Sequence, residues 1–258
     1  MKRITKIIAI VLAVLCVTGI MAACAKKATT KDYTYKTDIS GIKDILDTED
    51  EKYLVLVNKQ NTVDENYAPE NLVKVKSEYV YGGDGKTVEL EASVAKAMEA
   101  MISEMRANGI NDVYVTSGYR KYSYQQYLFD LYYNKEKAAH PDWTDEQVKE
   151  KVLSYSALPG TSEHHTGLCA DLFTGEMLEL ENYGHEGNYP SDKGFAETEA
   201  FEWLKDNAHK FGFILRFPKD KTDVTGYAYE SWHYRFVGVS VATKIYNEGI
   251  TLEEYLEK

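Results

Sequence analysis

Three short segments scattered along this chain carry most of its distinctive chemistry, and any fold it adopts has to bring them to one point. They are Ser117-Gly118-Tyr119-Arg120, Ser162-Glu163-His164-His165-Thr166-Gly167-Leu168-Cys169-Ala170-Asp171 and Glu230-Ser231-Trp232-His233-Tyr234-Arg235. A catalytic zinc takes three protein ligands of the His or carboxylate type and keeps a further position for water. His164, Asp171 and His233 can supply that set. Glu230 can take the proton of the water, and Arg120 offers a two-pronged guanidinium to a substrate carboxylate.

The surrounding pattern predicts how these segments are carried. A strand over 113–116 delivers Arg120 on the loop at its end, a common place for a binding residue. Gly167 permits close backbone approach between a loop bearing His164 and a strand over 167–173 bearing Asp171. A further strand is expected over 232–237. Helices are expected over 90–107, with Val94, Met98, Met101 and Met105 on one face and Gly109 as the stop, and from Ser123 to about 137. Thr144 and Gln147 predict a capping box for a third helix. A helix over 197–211 ended by Gly212, a strand over 213–217 and a helix over 239–247 complete the pattern. Residues 52–57 read as an opening strand, and the polar stretch 176–194 as a loop flanking the site. Strands separated by helices, without a repeated strand-helix unit or a glycine-rich phosphate loop, predict an α+β domain with a small, mostly antiparallel sheet flanked by helices.

Each candidate also has a plainer reading. On spacing alone Glu230 could be a solvated strand-edge carboxylate, Asp171 a buried hydrogen-bond acceptor and Arg120 half of a surface ion pair. Trp232 reads as core packing, Cys169 as a small buried thiol, and His165 as a supporting or solvent-facing residue and not a ligand. His140, His185 and His209 read as ordinary surface or loop residues.

The N-terminus carries a separate signal. Lys2, Arg3 and Lys6 precede an apolar run over 7–20 that is short for a bilayer span, so residues 1–23 read as an export signal. Met21-Ala22-Ala23-Cys24 resembles a bacterial lipobox, which implies lipidation at Cys24 and a membrane anchor. Methionine is uncommon at the first lipobox position, which leaves simple cleavage after Ala23 or an uncleaved anchor open. Residues 24–50 then read as a tether and 51–258 as one domain, on the extracytoplasmic face of a bacterial membrane. The net charge of -11, which becomes -14 without the signal, excludes nucleic acid as a partner. With Cys24 modified, Cys169 has no disulfide partner, and the fold must rest on its apolar core.

As complete strings the motifs say more. Pro159-Gly160-Thr161 running into Ser162–Leu168, Ser117–Arg120 with Gln125 five residues on, and Tyr229 running into Glu230–Arg235 resemble the VanY-type D-alanyl-D-alanine carboxypeptidases and the related LD-carboxypeptidases. These share a superfamily with lysostaphin-like peptidases and the hedgehog signalling domain, and the resemblance runs from about Tyr53 to about Glu248. It implies that fold, zinc on His164, Asp171 and His233, and Glu230 as general base. It implies Arg120, with Ser162 and Gln125, around the terminal carboxylate and carbonyl of a peptidoglycan stem peptide ending in D-alanine. A serine-type mechanism is excluded and a monomer is expected. Cys169 stands where the family usually has alanine, and Ser231 where proline is common. D,D-carboxypeptidase activity is favoured; L,D-carboxypeptidase activity on tetrapeptide stems, a non-catalytic zinc-containing wall-binding lipoprotein and a cross-bridge endopeptidase are the rival readings. Glu230 speaks against the binder and Arg120 against the endopeptidase.

Overall fold

The structure, a computed structural model, describes residues 33–179 and 194–257; the export signal, Cys24, His185 and most of the 176–194 stretch lie outside the described residues. Apolar residues at helical spacing create the first large element. A short antiparallel pair, β1 (Leu72–Lys74) and β2 (Glu89–Glu91), runs directly into helix α1 (Ala92–Ala107). The Glu91 side chain caps this helix through the Ser93 and Val94 amides, and Val94, Met98, Met101, Ile102 and Met105 form its fully buried stripe. Gly109, the expected stop, follows with φ 93°.

The main sheet is antiparallel, in the order β3-β4-β6-β5, from β3 (Tyr114–Ser117), β4 (Cys169–Phe173), β5 (Phe213–Phe217) and β6 (Glu230–Phe236). Between β3 and β4 run α2 (Tyr122–Ala139) and α3 (Asp145–Leu153), the latter opened by the predicted Thr144–Gln147 capping box. Helix α4 (Glu199–Asn207) continues as a 3-10 turn (Ala208–Phe211) into β5, while α5 (Val239–Glu248) and α6 (Leu252–Leu256) close the chain. The mixed, mostly antiparallel α+β class is as expected. Trp232 is buried against Phe173 with ring centroids 5.8 Å apart, in the core as expected.

Three expectations are corrected. Residues 52–57 form no strand: Glu51–Leu54 is a 3-10 turn, and the Tyr53 and Val55 carbonyls accept hydrogen bonds from Arg235 Nη2 instead of a neighbouring strand. Part of the expected tether packs on the domain. Glu104 of α1 accepts hydrogen bonds from the Lys36 and Thr37 amides, Thr37 Oγ1 and Tyr33 Oη, and Leu46 is buried in the core. His209 is not a surface residue; it is 3% exposed and stacks on Tyr246 with centroids 4.1 Å apart.

Candidate active site

Strand register puts the key residues side by side. Ser117 of β3 pairs with Asp171 of β4, and Asp171 pairs with His233 of β6, so the three lie in one row across the sheet. Alternation along a strand would turn Glu230 to the opposite face from His233. A register shift in the β5–β6 ladder, where Leu215 pairs with Tyr234 but Phe217 with Glu230, removes that constraint. Irregularities of this kind commonly re-aim side chains beside active sites. Glu230 Oε2 ends 3.5 Å from His233 Nδ1.

His164 arrives from a 3-10 turn (Glu163–Thr166) that Gly167 terminates at φ 66° before the chain enters β4. A left-handed residue is needed there, and glycine adopts it without strain. His164 Nδ1–H donates to the Gly118 carbonyl at 2.7 Å, which leaves Nε2 as the free-electron-pair atom, 3.3 Å from Asp171 Oδ2. His233 Nδ1 lies 3.1 Å from Asp171 Oδ1, and its Nε2 donates to Glu163 Oε2 at 3.2 Å. A backbone carbonyl and a carboxylate on the far nitrogens are the usual second layer that orients metal-binding imidazoles. In a tetrahedral zinc site with bonds of about 2.0–2.1 Å, neighbouring donors stand roughly 3.3 Å apart. The separations of 3.3 Å to Asp171 Oδ2 and 3.1 Å to Asp171 Oδ1 are of that order.

Electrostatics follow from burial and neighbours. Burial opposes the charge on Asp171, yet His164, His233 and Arg120 hold its carboxyl well below the usual range. Glu230 lacks such strong partners: burial pushes it up to about 7, aided by the Asp171 charge and opposed by His233. A carboxylate poised there suits proton transfer near neutrality.

Arg120 lies in the pocket wall, with Nε on Ser117 Oγ at 3.0 Å and Nη2 on Asp171 Oδ2 at 2.9 Å. Ser162 lines the pocket beside it, whereas Gln125 does not. Gln125 is buried, bonds the Ala157 carbonyl and comes within 3.5 Å of Arg120 Nη1, so it supports the arginine from behind. His165 is likewise a supporting residue: Nδ1–H donates to the Arg120 carbonyl and Nε2 accepts from the Gly160 amide, which fixes the Arg120 loop.

Glu163 is the functional residue that the sequence reading missed. Its Oε1 accepts from Arg216 Nε at 2.9 Å and Arg235 Nη1 at 2.6 Å, while Oε2 serves His233. Burial alone would raise its carboxyl, but the two arginines hold it well below the usual range. Arg216 also forks onto both oxygens of Glu253 in α6, which ties the C-terminal helix to the site. The pocket is completed by Val57, Tyr155, Phe217 and Tyr227, which no local motif marks.

Comparison with known proteins agrees with this geometry. The profile of the VanY family, D-alanyl-D-alanine carboxypeptidase, matches residues 87–239. A D-alanyl-D-alanine carboxypeptidase of Enterococcus faecalis is 35% identical over 208 residues, which span 81% of this chain and 67% of that protein. The crystal structure of the vancomycin-resistance D,D-pentapeptidase VanY from the VanB-type cassette, in complex with Zn(II), superposes with a TM-score of 0.63 at 34% identity, covering 80% of this chain and 99% of that one. The LD-carboxypeptidase LdcB superposes with a TM-score of 0.64, also at 34% identity, covering 80% and 86%.

Proposed function

The chain belongs to the VanY family of D-alanyl-D-alanine carboxypeptidases, and we infer that it is a zinc-dependent carboxypeptidase that removes the terminal D-alanine from peptidoglycan stem peptides. The observation that carries this reading is the convergence of His164, Asp171 and His233 with a half-buried Glu230 in one pocket. In our reading His164 Nε2, Asp171 and His233 Nδ1 hold the zinc. When bound, zinc supplies a Lewis acid that makes a water acidic and polarises the scissile carbonyl.

The remaining steps belong to the protein. Glu230, raised to about 7, takes a proton from the attacking water and returns it to the departing amine of D-alanine. Arg120, supported by Gln125, binds the free carboxylate of the substrate, with Ser162 beside it. A guanidinium in the pocket wall favours an exopeptidase substrate, since a chain that ends there offers it a carboxylate for charge-assisted hydrogen bonds. Glu163 keeps His233 in the orientation that presents Nδ1.

We further propose that residues 1–23 direct export, that Cys24 is lipidated, and that a monomeric domain works on the outer face of the cell membrane. In this reading the anchor is the lipid on Cys24; among the described residues no helix is long and apolar enough to cross a membrane. The similarity to LdcB favours a second substrate reading, cleavage of D-alanine after an L-centre in tetrapeptide stems. Incubation of the zinc-loaded protein with pentapeptide and tetrapeptide muropeptides, with D-alanine followed by mass spectrometry, separates the two. Release from the pentapeptide is expected; release from the tetrapeptide alone would establish the L,D activity, and no release from either would remove the carboxypeptidase reading.

A further inference from the structure

Cys169 approaches the same two histidines from a buried position beside Asp171. It precedes Asp171 by two residues on β4, so both side chains leave the same face of the strand. It is fully buried and does not line the pocket, whereas His164, Asp171 and His233 do. One donor atom each from His164, Cys169 and His233 lie within 4.8 Å of one another. A cysteine that merely filled the core would face hydrocarbon; this one faces two nitrogen donors.

We propose that Cys169 is a fourth protein donor to the metal, its buried sulfur bound beside Asp171 while the pocket side stays open to water and substrate. The proposal rests on the zinc reading of His164 and His233. On coordination the S–H bond breaks, the proton leaves to solvent, and the sulfur electron pair forms the bond to the metal; nothing is oxidised or reduced. A thiolate makes the site softer than one of two imidazoles and a carboxylate, and so shifts its preference toward softer cations.

Cobalt(II) is the probe, because its visible bands report binding and its near-ultraviolet thiolate charge-transfer absorption reports sulfur ligation, both independent of turnover. The cobalt-loaded full chain is expected to show both features. Cys169→Ser and Cys169→Ala are expected to keep the visible bands and lose the charge-transfer absorption, with zinc affinity falling roughly tenfold or more and cadmium affinity falling further. Visible bands without charge transfer in the unaltered protein would overturn the proposal and leave the zinc reading standing, even if neither variant folded. No cobalt binding at all would overturn both.

Discussion

Glu163 presents a single carboxylate to Arg216, Arg235 and His233, with 1% of its side chain exposed. Removing one member of a buried charge cluster leaves the others uncompensated, a loss of about 3–5 kcal/mol. Glu163→Gln is therefore expected to lower stability by that order in urea unfolding. It should also weaken zinc binding by roughly 10- to 100-fold, since His233 loses the partner that orients it; unaltered zinc affinity would remove Glu163 from the site. His164, Asp171, Glu230 and His233 stood out through the complete strings that carry the family resemblance, since spacing alone left plainer readings open. Glu163 was not, because a glutamate beside a histidine forms no pattern. The one available signal was Arg216 and Arg235 within strand-like runs, where a buried cation needs a carboxylate.

Elements position these residues, and one small residue fixes the join between two of them. A Cβ on Gly118 would stand 2.4 Å from the Glu89 carbonyl oxygen and 2.8 Å from Val88 Cγ1, so the loop after β3 can lie against β2 only with glycine there. The carbonyl of the same residue holds His164 Nδ1. Gly118→Ala is expected to cost about 1–3 kcal/mol through overpacking and to weaken zinc binding with it, measured by unfolding and metal titration; a variant with neither effect would show that the loop yields freely. Strands at 113–116 and 213–217 were legible from their apolar runs. The 52–57 run was misread because its carbonyls are satisfied by a side chain, Arg235, from far along the chain. The register shift that turns Glu230 toward His233 has no sequence mark, since it is set by pairing with β5.

Across the whole molecule the sheet forms the rigid floor of the site, and the C-terminal helix closes behind it through Glu253 and Arg216. The 33–50 segment packs on the same domain because Glu104 gathers its backbone, a contact that composition alone could not reveal. Burial of His209, with Lys210 adding to it, lowers its value from 6.5 to about 4. The unfolded chain therefore binds this proton first, and the stability His209 contributes is complete above pH 6.5 and drains away as the pH falls toward 4. His209→Phe, which keeps an aromatic ring on Tyr246, is expected to remove about 2 kcal/mol of the stability lost between about pH 6.5 and pH 5; an unchanged pH profile in urea unfolding would contradict this. The central claim is that His164, Asp171 and His233 hold zinc while Glu230 moves the proton. Zinc content and D-alanine release measured together on Glu230→Gln test it most directly. Retained stoichiometric zinc with turnover lost is the predicted result, and turnover near that of the unaltered protein would contradict the account.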